Sequence, residues 1–563
     1  MTSFQKIFVM SLLAASAVAL AGSLIVVADE AVPTPSDTGN LKVSIREVGS
    51  IVQPIEDPEK VPQESGVSFV LPIMCSPDGW HAAAAIRTEA GSYVRLDGVD
   101  GKHYEKISDG PFFTPDSKHL GYIAESGGKC FVVVDDKEGK QYDRIAAGTL
   151  VFSPDSTRVA YVGMSVTSGQ QACAVVDAVE GKWYPAVNKP IFSPDSKHVA
   201  YLTGQKQQNV PLAGMLPGSG FIVVDGKEVR QFDKANAFVW SPDSAHWACD
   251  ITVGNQHLVV QDGVDGKPYE WILCPPIFSP DSKHLAYIVR AEGKEMVVKD
   301  GVEEKGYDRI SPKVDNVTGA RNITMVFSPD GQHLAYAAQD FEGFFVVQDG
   351  VEGKKYAGGA SLPIFSPDSK HTAYIATGAT GASCLVQDGV EGPKYWSISQ
   401  ITFSPDSSRL AYAAAGKSDM CVVLDGVEGK KYKKIDYAID VVGGGDDGGH
   451  GITFTSDSKH IIYFAKTAEG SGFGGGKMVV VVDSVEGKEY AGRICNMRVS
   501  PDGKHVTYFA SLGQQGFCVV DGTEVQLLTL APLKGLIFDS PTKCHGILKS
   551  RTRAFLIEIE IAP

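Results

Sequence analysis

This chain of 563 residues lacks an excess of positive charge and lacks the motifs of the common catalytic sites. Its 52 Lys and Arg residues are outnumbered by 67 Asp and Glu residues, for a formal charge of -15. Such a surface repels phosphate backbones and anionic lipids, so no nucleic-acid partner is expected. There is no GxSxG, HExxH or P-loop motif. No catalytic, cofactor-binding or metal-binding residue is therefore assigned, no cofactor is expected, and the sequence leans away from an enzyme.

Long apolar runs are also missing, with one exception at residues 7–28. This stretch has no charge, follows a single Lys, and changes abruptly to the polar sequence DEAVPTPSDTGN. Small residues suit cleavage after Ala21 or Ala28, as in a secretory signal. The run is also long enough to span a bilayer as an uncleaved anchor. We expect residues 1–28 to be a signal peptide or signal anchor and residues 29–40 a linker. The protein is then periplasmic or extracellular, with the anchored form as the alternative.

Paired cysteine motifs are absent too: the ten Cys residues include no CxxC pair. Five of them, Cys130, Cys173, Cys384, Cys421 and Cys518, come just before an apolar run that ends in Asp. This placement indicates small buried residues in equivalent strands. An exported protein can form disulfides, but spacing alone does not pair these residues.

What the chain does contain is a tandem repeat. The word FSPDSKHLAY at 278–287 recurs along the chain with small changes, and its Asp lies at positions 78, 116, 155, 195, 243, 281, 330, 368, 406, 457 and 502. The shortest spacing is 38 residues, and a degraded twelfth copy begins at Phe538. A second word, such as DGVEGKKY at 349–356, lies about halfway through each unit. The period makes the repeat the main structural signal.

Each unit predicts four short strands. An apolar run leads into the SPD turn, an alternating run such as HLAYIV follows, and then comes a third run such as FFVVQ. The DGVEGK word makes a tight hairpin, and KKY or KQYDRI begins the fourth strand. Four antiparallel strands repeated in tandem are typical of β-propeller blades, which bury their faces by stacking. The fold class is therefore all-β, a propeller of about twelve four-stranded repeats.

The FSPDSKHLAY word followed by VVxDGxxGK resembles the WD40-like repeats called PD40, as in the TolB-type periplasmic β-propeller. The resemblance covers about residues 66–560. It implies the propeller fold strongly and indicates the function only weakly. The DGVEGKKY half is more regular than that family leads us to expect, so this chain matches a distinct branch.

Twelve units favour two six-bladed rings, residues 41–310 and 311–560, because rings usually hold four to eight blades. The insertion SPKVDNVTGARNIT falls between units six and seven and supports this division. Seven plus five blades, or one unusually large ring, are the alternatives. The last unit lacks a fourth strand, and LKVSIREV from Leu41 is a free strand. We expect the two termini to complete one shared blade. That closure counts against simple tandem rings, because the chain would cross between them twice.

Ser, Asp and His recur together in the repeat, but this combination predicts scaffolding. Ten of the 13 His residues occupy one repeat position, whereas an active site needs a single constellation. The GxGxxG at Gly470, Gly472 and Gly475 precedes a strand, so it indicates a loop. The loop with Asp446, Asp447 and His450 matches no metal-ligand spacing. Asp250, His257 and His103 lie outside the repeat positions, yet the sequence does not bring them together.

The sequence favours an exported, non-catalytic propeller that binds unidentified protein partners through loops at the ring faces. We expect specificity in the insertions near 205–219, 311–324, 437–452 and 467–476, with Met215, Leu216 and Phe473 as exposed apolar candidates. The alternative is a ligand-binding, hydrolase or lyase propeller with a site at the central channel. A purely structural envelope component is a third option.

Overall fold

The computed structural model describes residues 41–50, 67–70, 73–166, 171–204, 219–310, 325–436, 451–469, 476–512, 515–528, 531–549 and 553–562. In these ranges the chain forms strands and turns and no helix. No helix long and apolar enough to cross a membrane is therefore found there. The apolar run at 7–28 lies outside the described residues.

The strands form twelve sheets, one for each repeat, which are called blades 1 to 12. The strands of blades 1 to 4 are Val67–Val70, Met74–Cys75, Ala82–Thr88, Gly91–Leu96 and Val99–Asp100; then Lys106–Phe113, Leu120–Ser126, Lys129–Val134 and Lys137–Glu138; then Arg144–Ile145, Val151–Phe152, Val159–Ser165, Gln171–Val176 and Val179–Glu180; then Ala186–Val187, Ile191–Phe192, Val199–Gly204, Gly220–Val224 and Lys227–Phe232. Those of blades 5 to 8 are Lys234–Trp240, Trp247–Val253, Gln256–Gln261 and Val264–Asp265; then Trp271–Phe278, Leu285–Ala291, Lys294–Lys299 and Val302–Glu303; then Arg309–Ile310, Met325–Phe327, Leu334–Asp340, Gly343–Gln348 and Val351–Glu352; then Gly359–Ala360, Ile364–Phe365, Thr372–Thr377, Ser383–Gln387 and Val390–Tyr395. Those of blades 9 to 12 are Ser397–Phe403, Leu410–Ala415, Met420–Leu424 and Val427–Glu428; then Lys434–Asp436, Ile452–Phe454, Ile461–Glu469, Gly476–Val482 and Val485–Glu486; then Ile494–Val499, Val506–Leu512, Gln515–Val520 and Thr523–Leu528; then Ala531–Pro532, Ile537–Ser540, Lys543–Lys549 and Arg553–Ile561.

Within a blade, four antiparallel strand positions, a to d, follow one another in chain order, and a is often split in two. The c–d hairpin forms at the DG word because Asp97 and Gly98 both have positive φ, as a type I′ turn requires. The fourth strand is shorter than the sequence indicates. In KQYDRI, Tyr142 pairs with Cys130 in blade 2, whereas Arg144–Ile145 already belongs to strand a of blade 3.

The core consists of twelve hydrophobic clusters, and each lies between two consecutive blades. Alternation along each strand sends one side chain toward the preceding blade and the next toward the following blade. In blade 2, Tyr122 packs toward blade 1 and Ile123 toward blade 3. Each sheet is therefore buried on both faces only because it has a neighbour on each side.

These contacts run around a single ring and correct the preference for two six-bladed rings. Blade 6 packs on blade 7, where Ile288 and Phe345 share a cluster, and blade 12 packs on blade 1, where Ile547 and Ala82 do. Two separate rings would instead join blade 6 to blade 1 and blade 12 to blade 7. The insertion 311–324 interrupts strand a of blade 7, between Arg309–Ile310 and Met325–Phe327, and both pieces pair with Leu334–Asp340. As a boundary between separately folding domains, the division at 310 and 311 stays a prediction.

The expected closure by the termini is confirmed. Leu41–Ser50 pairs antiparallel with Arg553–Ile561, from Leu41 opposite Ile561 to Ser50 opposite Arg553. The N-terminal strand is thereby strand d of blade 12. Its residues Leu41, Val43 and Ile45 are buried in the cluster between blades 11 and 12. This pairing covers the edge that the last strand would otherwise expose.

Candidate functional site

The ring has two faces that differ in what they carry. The SPD turns between strands a and b and the DG turns between c and d lie together on one face, here called the turn face. Their proximity is shown by His81, whose Nδ1 is 2.6 Å from Asp97 Oδ2. The b–c turns and the d–a junctions lie at the opposite ends of the strands and form the loop face. Strand a lies nearest the ring axis, where a strands of neighbouring blades meet, as Lys234–Trp240 and Trp271–Phe278 do.

On the turn face, the repeated Ser, Asp and His bond one another within each blade. In blade 6 the Ser279 hydroxyl donates to Asp281 at 2.5 Å, and the backbone N–H of His284 donates to Ser279 at 3.0 Å. The His284 ring lies 2.7 Å from Asp300 of the DG turn, which also accepts from the backbone of Leu285. The same pattern surrounds the ring, with Arg158 and Arg409 in the His position of blades 3 and 9.

The second Ser of the SPDS word joins consecutive blades. Its hydroxyl accepts the backbone N–H of the preceding blade's SPD Asp at 2.9–3.0 Å at eight interfaces, through Ser117, Ser156, Ser196, Ser244, Ser282, Ser369, Ser407 and Ser458. Gly331 stands at this position in blade 7, and Asp281 Oδ1 lies 2.3 Å from the place that a Cβ would occupy. Gln332 bonds Asp281 instead, at 2.8 Å. At the closing interface His545 Nε2 bonds the carbonyl of Asp78 at 2.6 Å.

These hydrogen bonds hold the SPD aspartates in the charged form. The Ser153 hydroxyl and the backbone N–H of Thr157 lower the pKa of Asp155 to about 2. The Thr114 hydroxyl and the backbone N–H of Lys118 do the same for Asp116. A repeated carboxylate that serves as a turn acceptor is poorly suited to proton transfer near neutral pH. The contacts agree with the interpretation of the repeated words as scaffolding.

The repeated Tyr and Cys residues also pack between or within blades. Tyr104 and Tyr122 meet edge to face across the interface of blades 1 and 2, with ring centroids 6.2 Å apart. Six further interfaces have an equivalent Tyr pair. The five Cys residues before the apolar runs are buried in strand c, as predicted, and all ten thiols are free. Burial raises the pKa of Cys173 to about 12, which makes it a poor nucleophile.

Of the non-repeat polar residues, Asp250 and His257 come together and His103 does not. Asp250 is buried in blade 5, where its carboxylate accepts from Asn236 Nδ2 at 2.9 Å and from the backbone N–H of Ala237 at 2.7 Å. His257 lies on the adjacent strand and contacts Trp271 of blade 6, with ring centroids 4.6 Å apart and the rings tilted by 31°. Burial raises the pKa of Asp250 and lowers that of His257, so desolvation favours the neutral form of each.

Asp250 has a structural role that explains its position. Strand a of blade 5 changes register between Ala235 and Phe238, and the Asp250 carboxylate bonds the residues in that bulge. His103 lies in blade 1 and contacts Tyr93, with ring centroids 4.5 Å apart.

Several candidates from the sequence lie outside the described residues. These are Asp446, Asp447 and His450, the three Gly of GxGxxG, Met215, Leu216 and Phe473, and most of the four insertions. Where the structure describes the chain, no three His, Cys, Asp or Glu side chains are grouped so as to hold a metal ion.

The loop face carries a feature that sequence reasoning missed. Phe341 is 90% exposed, Trp396 is 69% exposed and Trp271 is 55% exposed. Among the Phe, Trp and Tyr residues whose burial the structure describes, these three are the exposed ones. Phe341 lies in the b–c turn of blade 7, Trp271 begins strand a of blade 6, and Trp396 directly precedes strand a of blade 9. These three residues are called the aromatic arc. These three residues lie outside the repeated Tyr positions, and this difference is already visible in the sequence.

A cavity of about 510 Å³ lies beside strand a of blades 3, 4 and 5. Its walls are mainly apolar, with Phe152, Phe192 and Phe238, and it includes the side chains of Asn188 and Lys189. Its size and lining are typical of a small-ligand pocket.

No family model matches the chain, and no curated protein does. Among solved structures, a eukaryotic initiation factor is 13% identical over 62% of this chain and 95% of its own, with a TM-score of 0.30. TolB from Acinetobacter baumannii is 12% identical over 50% of this chain and 77% of its own, with a TM-score of 0.22. The β-propeller domain of the trilobed protease from Pyrococcus furiosus is 13% identical over 58% of this chain and 97% of its own, with a TM-score of 0.22. These similarities concern the fold alone.

Proposed function

We propose that this protein is an exported, non-catalytic propeller of the TolB-like, PD40 type that binds another protein through its loop face. The observation that carries the proposal is the aromatic arc. Exposed Trp and Phe side chains are costly to leave in water and are enriched at the centres of protein interfaces. The repeated sequence pattern does not require the aromatic residues of the arc. It does account for the hydrogen-bonded Ser, Asp and His residues of the turn face, on the opposite side of the ring.

The test compares the triple variant Trp271→Ala, Phe341→Ser, Trp396→Ala with the intact protein, each purified with its partners from native cells. A control triple variant, Val99→Ser, Val179→Ser, Val264→Ser, removes apolar side chains that are 70–72% exposed on strand d, away from the arc. We expect the arc variant to lose its co-purifying proteins at least tenfold and the control to keep them. Equal recovery with both variants would refute the proposal.

A ligand-binding propeller is the second candidate, favoured by the cavity of about 510 Å³ beside strand a. Lys189 supplies the charge and Asn188 an amide, so the pocket suits an apolar molecule with an anionic group. An anionic aromatic dye should bind the intact protein and bind Lys189→Met more weakly. Lys197→Met, at an exposed turn-face position, is the control.

A further inference from the structure

Consecutive blades are joined at their outer edge by a repeated ion pair, the rim bridge. The Lys of the DGVEGK word pairs with the Glu of the same word in the next blade, at 2.5–2.9 Å. Eight interfaces have this pair, and between blades 4 and 5 Arg230 pairs with Asp265 at 2.8 Å. The bridge therefore recurs at nine of the ten interfaces from blade 1 to blade 11.

The rim lysine also lies over an aromatic ring. In seven blades its ammonium is 5.5–5.8 Å from the ring centroid of the Tyr that ends the same word. A Tyr face and a carboxylate thus hold one ammonium between them, by cation–π and ion-pair attraction together. The chain repeats this ammonium-binding arrangement from blade to blade.

Blade 8 departs from the pattern in one residue. Its word reads DGVEGPKY, so Pro393 stands where the other blades have the rim lysine. The remaining two parts are present: Tyr395 ends the word, and Glu428 is the rim glutamate of blade 9. In the described part of the chain Glu428 forms no ion pair. Across the equivalent interface of blades 3 and 4 the Tyr184 hydroxyl donates to Glu228 at 2.8 Å, and Tyr395 and Glu428 occupy the same repeat positions. The Glu428 carboxylate also contributes, after burial, to raising the pKa of Tyr395.

At the interface between blades 8 and 9 the repeated Tyr is more exposed than at the other interfaces. Tyr395 is only partly buried, whereas the other eight Tyr residues at its repeat position are fully buried. A cavity of about 520 Å³ opens between blades 8 and 9. Gly392 and Pro393 line it from blade 8, and Leu410 and Tyr412 line it from blade 9, whereas Tyr395 and Glu428 are not among its lining residues.

The occupant is expected to be part of a protein. Trp396 of the aromatic arc directly follows Tyr395, so the site adjoins the surface proposed to bind a protein partner. A chain with a net charge of -15 attracts basic segments.

We propose that the Tyr395 ring and the Glu428 carboxylate bind the side-chain ammonium of a lysine presented by the protein partner. The lysine of the partner takes the place that the chain's own lysine takes in eight other blades. This inference rests on the proposed function and adds the chemistry that the partner must present.

The test uses Nα-acetyl-lysine methylamide as the probe, with saturation-transfer NMR on the full chain detecting contact at its ε-methylene group. Pro393→Lys supplies the missing side chain from within and should lower the signal at least fivefold. Glu428→Gln removes the carboxylate and should have the same effect. The matched controls are Val351→Lys, which adds the same charge at an exposed strand-d position, and Glu486→Gln, whose glutamate already pairs with Lys430.

The proposal predicts a signal for the lysine probe, loss of it on Nε-acetylation, and loss in Pro393→Lys and Glu428→Gln alone. Equal signals in Pro393→Lys and the intact chain would overturn it. n-Butylammonium is the second arm: binding as strong as that of the lysine probe would contradict the assignment to a protein lysine. Failure of the lysine site is distinguishable from failure of the proposed function. The proposed function is tested by co-purification of partners with the aromatic-arc variant, and that experiment does not use the lysine probe.

Discussion

At the scale of single residues, the repeated polar side chains act as connectors between turns and blades. The first Ser of SPDS fixes its own turn, and the second reaches back to the preceding blade. Ser156 adopts a φ of 66°, which is unusual for a residue with a Cβ. In this conformation its hydroxyl accepts the backbone N–H of Asp116, the SPD aspartate of blade 2. The strain at this position is offset by a partly buried hydrogen bond between blades.

Removal of that bond should destabilise the ring measurably. Ser156→Ala leaves the backbone N–H of Asp116 without its partly buried acceptor, and we expect a loss of about 1 kcal/mol in the free energy of unfolding. Thr157→Ala, in the same turn, removes an exposed hydroxyl that bonds only Asp155 and should cost less than about 0.5 kcal/mol. Urea unfolding of both variants checks this. Equal midpoints would contradict a connecting role for Ser156.

Acid should weaken the turns in a defined interval. The pKa of Asp116, Asp155, Asp281 and Asp406 is lowered from 3.8 to about 2 by hydrogen bonds from Ser, Thr and backbone donors. Because the folded pKa lies below the unfolded one, the stabilisation is present above pH 3.8 and is lost as the pH falls toward 2. The melting temperature should fall over this interval. The melting temperature of Asp155→Asn should fall less than that of the intact protein, because the amide is not protonated in this pH interval. An unchanged melting temperature in the intact protein would count against the account.

At the scale of elements, the strands d are the weak edges of the sheets. In eight blades strand d is two residues long, and seven of these short strands expose a Val that is 68–72% accessible. Short edge strands with neighbouring Lys and Glu discourage pairing with other chains. Strand d has six residues in blades 4, 8 and 11, and in blade 12 it is the ten-residue N-terminal strand Leu41–Ser50.

The N-terminal strand should therefore be essential for closure. Val43→Asp buries a charge in the cluster between blades 11 and 12 and should cost on the order of 3 kcal/mol. Ser44→Asp places the same group on the exposed side of the strand and should be nearly neutral. Thermal unfolding and limited proteolysis of the C-terminal strand measure the effect. A Val43→Asp protein as resistant as Ser44→Asp would show that the ring does not depend on this pairing.

At the scale of the whole molecule, the sequence predicted the blades better than their assembly. The period identifies the repeat, and the unpaired strands at the two ends indicate closure. The number of rings depends on the rotation between neighbouring blades, and all interfaces look alike in sequence. The insertion at 311–324 suggested a break between rings, but it interrupts strand a of blade 7.

The candidate surface was only partly readable from the sequence for the same reason. Phe341 and Trp396 are visible as aromatic residues outside the repeated positions, but their exposure on one face depends on the folded blades. Pro393 is visible as a departure from Lys, yet its meaning requires the knowledge that each rim lysine pairs with the following blade.

Electron cryomicroscopy of the purified chain tests the central claim most directly. Class averages viewed along the ring axis should show one closed ring of twelve blades, with Trp80 and His545 stacked where blade 12 meets blade 1. Two six-bladed rings, or an open arc with blades 12 and 1 apart, would contradict the account.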